Sequence, residues 1–297
     1  MSTDVIINVF GKPWQTLLTI YSLMEFSASY VDKIFLIFEP VEIINDDTSF
    51  DFRELVLKNL GVYKDKAVSY VPKFWFRSDI PIEYNKLQDP RYRHSIRYQY
   101  GIERSKSSLI FLSHNDCKYT GDIIGKMLEN ISDYDGIGSI GQCWNCPASW
   151  ENLCNSENYE NYKPNYNELR ELYWESIPPE EMVKRPYHSP DFNKTIIDSP
   201  WPLPECRINE WATLIKRDVL LDNDIPFGSK WGEITVFDTG VEWFRRACHR
   251  GYRFLNFDIY QYVNHTAGRP VMLDKNLYNQ KENYAKNELI NKYGLKL

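Results

Sequence analysis

The 297-residue sequence predicts an α/β fold: a mostly parallel sheet flanked by helices, with an irregular Cys-containing insertion. Three observations carry this. Through the first hundred-odd residues, short β-branched apolar runs alternate with helix-periodic segments, and those runs lack the polar alternation of a half-exposed strand. From Gln142 to Glu205 periodicity fades and Asn, Tyr, Glu and Pro dominate. From Arg207 it returns.

Val5 to Phe10 reads as a buried strand ending at Gly11-Lys12-Pro13. Trp14 to Ser27 follows as a helix, with Leu17, Leu18, Tyr21 and Met24 at helical spacing and Pro13 suited to its start. Lys33 to Phe38 is a second strand ending at Glu39-Pro40, Phe52 to Leu60 a helix stopped by Gly61, and Ala67 to Val71 a third strand. Arg91 to Ser105 is expected as one helix, Ser108 to Ser113 as a fourth strand and Asp122 to Ile131 as a helix. The middle region shows one helix near Asn165 to Glu175 and is too long for a simple connection. Beyond it come an amphipathic helix over Phe237 to Arg250 ended by Gly251, a strand over Tyr252 to Phe257 leading to His265, and a polar, peripheral helix over Asp274 to Leu297.

Composition narrows the function. With 41 acidic and 35 basic residues the net charge is -6, which argues against a nucleic-acid binder. The start has no basic segment before its apolar run, so no signal peptide is expected, and no apolar stretch approaches membrane-spanning length. A soluble, cytoplasmic protein is expected. Its 9 Trp, 21 Tyr and 15 Phe suit stacking against sugar rings, although core packing is the commoner use of aromatic side chains.

In open parallel sheets, ligands bind beyond the carboxyl ends of the strands. That rule selects Phe10-Gly11, Glu39 and Ser113-His114-Asn115-Asp116. Asp116 offers a hard oxygen ligand and His265 an imidazole acceptable to Mn²⁺; the plain alternatives are a turn or cap and a core histidine. Asp238, just before a helix, suits either a general base or an N-cap. Glu242 is a competing base or a partner of Arg245 or Arg246. Cys143, Cys146, Cys154 and Cys206 could bind a structural Zn²⁺, remain buried thiols or form disulfides. Cys117 and Cys248 read as core residues. Gly136-Ile-Gly138-Ser-Ile-Gly141 matches a dinucleotide fingerprint by letter, but it neither follows the first strand nor opens a helix, so a small-residue strand is expected.

Taken in order, several segments resemble a known family: Val5-Ile-Ile-Asn-Val-Phe-Gly-Lys-Pro13 with its helix, Lys33-Ile-Phe-Leu-Ile-Phe-Glu39, Arg97-Tyr-Gln-Tyr-Gly-Ile-Glu103, the strand into His114-Asn-Asp116, and Asp238-Thr-Gly-Val-Glu-Trp-Phe-Arg-Arg-Ala-Cys-His-Arg-Gly-Tyr252. Over residues 4–140 and 207–265 the chain resembles GT-A-fold glycosyltransferases of the family 2 type. The resemblance implies one catalytic domain over residues 1–297. Residues 1–141 would be its nucleotide-sugar-binding half, 142–206 the insertion, and 207–297 the acceptor-binding half with the C-terminal helix.

The resemblance further implies that Asp116 holds Mn²⁺ or Mg²⁺ with help from His265. His114 stands where the family has an Asp, so strict metal dependence does not follow. Phe10, Gly11, Glu39, Arg97, His114 and Asn115 fall at donor-binding positions. Asp238 is the implied base with Glu242 in reserve, and Glu210, Trp211 and Trp231 would face the acceptor. The implied reaction is inverting transfer from a nucleotide-diphosphate sugar, a UDP-sugar favoured, to a glycan or lipid-linked saccharide in polysaccharide biosynthesis, with peripheral membrane association compatible with it. Two rivals stand beside it. A sugar-1-phosphate nucleotidyltransferase needs a fuller Gly-rich basic loop than Gly11-Lys12-Pro13. A non-catalytic nucleotide- or glycan-binding scaffold would use the Cys region as a zinc-tied interaction module.

Overall fold

The computed structural model describes residues 2–39, 52–74, 82–177, 200–229, 238–265 and 274–296. The α/β class holds. Nine strands are present among the described residues: β1 (Thr3–Val9), β2 (Val31–Phe38), β3 (Ala67–Tyr70), β4 (Leu109–His114), β5 (Cys117–Tyr119), β6 (Gly136–Ile140), β7 (Ile208–Lys216), β8 (Phe254–Asn256) and β9 (Val263–His265). Seven of them form one sheet in the order β3-β2-β1-β4-β7-β6-β8. Pairing is parallel from β3 to β4 and between β6 and β8; β7 alone runs antiparallel, to both β4 and β6. All seven residues of β1 are buried, as an unalternated apolar run at the centre of a covered sheet requires.

Two pairings build the site. In β1 and β4, Asn8 lies opposite His114, so both loops that follow leave the sheet at the same edge. The small sheet of β5 and β9 places Cys117 opposite His265, which brings a residue from far along the chain beside Asp116.

The fingerprint-like glycines do form a strand. A Cβ on Gly138 would sit 2.5 Å from Thr213 Oγ1, and one on Gly136 2.9 Å from the Phe254 ring, so the neighbouring strands need small residues there.

Three expectations change. The single helix over Arg91 to Ser105 is two short ones, Pro90–Arg93 and Gln99–Arg104. The break turns on Tyr98, at φ 66°, whose N–H donates to Asn8 Oδ1 at 3.3 Å while Arg97 reaches Glu39. The helix begun at Asp122 ends at Leu128, with Asp122 as its cap through Gly125 N–H, and a 3-10 turn follows. The C-terminal helix, Lys275–Tyr293, is no peripheral appendage. Its Ala285 and Leu289 are fully buried, and the Glu282 carboxylate accepts from the N–H groups of Trp14 and Gln15 at 2.9 and 3.1 Å. The Pro13–Ser27 helix has no cap of its own, so Glu282 meets its unsatisfied donors.

The described part of the insertion, residues 142–177 and 200–206, is likewise packed against the rest. Asn165 caps the helix Tyr166–Glu175 with a capping box. Leu169, Tyr173 and Leu203 share a buried cluster with Trp243, Phe244 and Phe254. These residues draw on the main core. No helix among the described residues is long and apolar enough to cross a membrane.

Candidate active site

The loop after β1 sets the first side of the site. Gly11 and Lys12 are both left-handed, at φ 58° and 52°, which turns the chain sharply into Pro13. Asn115 braces this turn, donating from Nδ2 to Gly11 O and to Thr16 Oγ1, both at 2.9 Å. Asn115 is thus buried and holds the loop. Lys12 then extends inward, its ammonium 2.5 Å from Asp116 Oδ2, with both side chains almost wholly buried.

On its other oxygen, Asp116 meets His265 Nε2 at 3.0 Å. His114 Nδ1 lies 3.3 Å from His265 Nε2, and His114 Nε2 lies 3.4 Å from Glu210 Oε1. His114, Asp116 and His265 bring one ligand atom each within 4.8 Å of one another, and among the described residues they are the one such group. Two imidazoles and a carboxylate fit a divalent transition ion such as Mn²⁺. The Trp211 ring stacks on His265 at 4.9 Å and orients it. Burial works to raise the Asp116 carboxyl, but the Lys12 ammonium and the His265 hydrogen bond outweigh it and hold the group well below the usual carboxylate range. Asp116 caps no helix; that task falls to Asp122.

A second cluster adjoins the first. Glu39 accepts from Arg97 at 2.8 and 3.2 Å and from Asn8 Nδ2 at 3.2 Å, joining the ends of β1 and β2 to the Tyr98 break. The Glu39 charge raises the Arg97 guanidinium further above its ordinary value.

The third cluster joins the sheet to Asp238. Arg207 pairs with Glu210 and donates to Asp238 Oδ2 at 3.2 Å, where Gln142 Nε2 also donates at 2.7 Å. For Glu210, burial raises the carboxyl, and Arg207 and the His114 hydrogen bond lower it by more. The N-cap of the helix Val241–His249 is Gly240, not Asp238. The Asp238 side chain is 43% exposed, enough to meet a ligand. Glu242 is engaged elsewhere, accepting from Tyr84 OH at 2.7 Å and from Arg246 at 2.9 Å.

The structure therefore gathers His114, Asp116, His265 and Glu210, with Asp238 attached through Arg207, and sets Glu39 and Arg97 together nearby. Glu210 and Trp211, expected on an acceptor face, are instead buried behind the histidine pair. An exposed aromatic in that direction is Tyr260, which is 65% exposed and has its ring 5.4 Å from Trp211. Phe10 lies beside Gly11 in the β1 loop. Trp231 lies outside the described residues. Sequence reasoning missed Lys12, Arg207 and Gln142 as site residues. A lysine at the carboxyl end of a buried strand was a usable signal for the first, whereas nothing in the local pattern marked the other two.

Cys143, Cys146, Cys154 and Cys206 do converge, lining one small cavity with Glu205 and Tyr159. Burial pushes the Cys146 and Cys206 thiols well up and that of Cys154 to about 11. All six cysteines are free, and Cys143 alone is not buried. Free thiols predict that a maleimide labels Cys143 quickly and the other five slowly in the folded protein. A four-thiolate zinc site would instead protect Cys143 until a chelator is added, which peptide mass mapping reads directly.

No protein-family model matches the chain, and no curated protein sequence matches it. Among solved structures, it is similar to a mannosyltransferase from Pyrobaculum calidifontis solved with GDP-Man and Mn²⁺. The identity is 9% and the TM-score 0.49, over 97% of this chain and 69% of that one. A likeness this distant transfers no residue role.

Proposed function

We propose that the chain is a glycosyltransferase of the GT-A type that moves a sugar from a nucleotide-diphosphate donor to a glycan hydroxyl with inversion. One observation carries the reading: a His-Asp-His group at the carboxyl edge of β1 and β4, its Asp116 buried and both histidines partly exposed, linked through Glu210 and Arg207 to the half-exposed carboxylate of Asp238. Ligands of open α/β sheets bind at that edge.

In the proposed step, Asp238 accepts the proton of the acceptor hydroxyl, whose oxygen forms a bond to the anomeric carbon. The bond from that carbon to the diphosphate oxygen breaks, and its electron pair leaves with the diphosphate. Mn²⁺ or Mg²⁺, held by Asp116 with His114 and His265, would offset the charge that develops on the leaving group. Glu39 and Arg97 lie at the donor side within residues 1–141, and the acceptor would lie over residues 207–297 toward Tyr260. A UDP-sugar is the expected donor. A cytoplasmic site of action, with a glycan or lipid-linked saccharide as acceptor, accompanies this reading.

Thermal melting with UDP, GDP, CMP and dTDP, each with Mn²⁺ or EDTA, tests it. One nucleotide is expected to stabilise the protein in a metal-dependent way, by about 2.7 kcal/mol at a hundredfold excess over its dissociation constant. Stabilisation without metal would retain the nucleotide site and remove the metal role. No stabilisation by any of the four would overturn the transferase reading.

A further inference from the structure

The geometry points to Lys12 as a built-in cation that weakens metal binding at His114, Asp116 and His265 until an anionic ligand draws its charge away. This deepens the proposed function and rests on its reading of those three residues as a metal site. Asp116 has two carboxylate oxygens, and both are engaged: Oδ2 by the Lys12 ammonium at 2.5 Å and Oδ1 by His265 at 3.0 Å. An ion that takes His265 and Asp116 as ligands can displace the second contact, because the imidazole and the carboxylate both turn to the metal. It does not remove the first. A divalent ion and the ammonium would then share one small carboxylate, and like charges at that range repel. With the Lys12 side chain 5% exposed, water and salt screen the repulsion poorly.

The position of Lys12 is built. Its backbone is left-handed, a conformation non-glycine residues hold only where their surroundings impose it. Its N–H donates to Tyr278 OH at 3.1 Å, and its carbonyl accepts from Thr16 N–H and Oγ1, both at 2.8 Å. Asn115 ties down Gly11 just before it. The C-terminal helix and the Asp116 loop thus fix the cation from both sides.

Among the described residues Asp116 is the one hydrogen-bond acceptor of this ammonium, which has three N–H donors. The remaining donors suit the oxygens of a diphosphate. A diphosphate that takes them shares the ammonium charge and lowers the repulsion toward a metal on Asp116. Diphosphate and metal then favour each other, and the coupling is reciprocal.

Mn²⁺ binding followed by electron paramagnetic resonance tests this on wild type, Lys12→Met and Lys12→Gln, with and without UDP or GDP. The signal of the protein-free Mn²⁺–nucleotide mixture is subtracted. Without nucleotide, Lys12→Met is expected to bind Mn²⁺ at least tenfold more tightly than wild type. Lys12→Gln keeps a donor to Asp116 without the charge; it should behave alike and serves if Lys12→Met does not fold by circular dichroism. Adding His265→Ala to either variant should abolish the gain. Nucleotide should tighten Mn²⁺ in wild type and do little in the variants. Equal Mn²⁺ affinity in wild type and variants, or nucleotide tightening of the same size in all three, overturns the role of Lys12 while leaving the metal site standing. No Mn²⁺ binding by any of the proteins removes the metal site itself.

Discussion

Asp116→Ala is expected to destabilise the protein by about 3–5 kcal/mol, because it strands a buried ammonium without its counter-charge. Lys12 and Asp116 are 5% and 2% exposed, and Lys12 has no other acceptor among the described residues. Deleting both charges is a different experiment. Lys12→Met with Asp116→Leu replaces the pair by apolar groups, and such replacements are often neutral or stabilising. The double variant should therefore recover most of the loss while binding no metal, and urea unfolding of the three proteins measures both steps. The sign with pH follows from the lowered Asp116 carboxyl. Its contribution is complete above the unfolded carboxylate value of about 3.9 and is lost only as pH falls well below it. At pH 4 the gap between wild type and Asp116→Ala should thus still be open. An Asp116→Ala protein within 1 kcal/mol of wild type would mean that the pair is solvated in solution, and the buried site described here would fall with it.

Four strands of the sheet are legible in the sequence as short apolar runs: for β1, β2, β3 and β4 the expected positions agree with the structure to within two residues, whereas β7 carries Asn, Glu and Thr and is not expected as a strand. Carboxyl-end reasoning selects His114 and Asp116 without reference to contacts, and the structure brings the two together with His265. What periodicity could not supply was pairing at long range. The place of β7 between β4 and β6, and of β9 against β5, depends on tertiary packing, and it is β9 that brings His265 to Asp116. Arg91 to Ser105 reads from sequence as one helix. The break at Tyr98 is imposed by Asn8, on β1, and by Glu39, just past the end of β2, both distant in sequence. The resemblance places Glu210 and Trp211 toward the acceptor, with the Trp ring as a stacking face. Burial beside Arg207 and His265 became visible only once β7 was central in the sheet. The polar C-terminal helix misled for a related reason. Its Glu282 is buried because another helix's N-terminus supplies the donors, a partner that local sequence does not reveal.

The largest effect on turnover is expected at Asp238. Asp238→Asn should lower it by about 10²- to 10⁴-fold, the range for loss of a positioned general base. The carboxylate is set in place by Arg207 at 3.2 Å and Gln142 at 2.7 Å on Oδ2, with its neighbour's amide, Thr239 N–H, on Oδ1 at 2.9 Å. These contacts orient it without burying it, as a base toward an incoming hydroxyl requires. Because the ion pair with Arg207 is part-exposed on the Asp238 side, stability should change by about 1 kcal/mol or less, so the loss would be one of chemistry. Glu242→Gln is the matched comparison. Glu242 already accepts from Tyr84 and Arg246, and its replacement should cost only a few-fold in turnover. Transfer assays on both variants, with the donor class found by melting, separate the two carboxylates. A dead Glu242→Gln beside an active Asp238→Asn would move the base one helical turn along and leave the Arg207–Asp238 contact a structural tie.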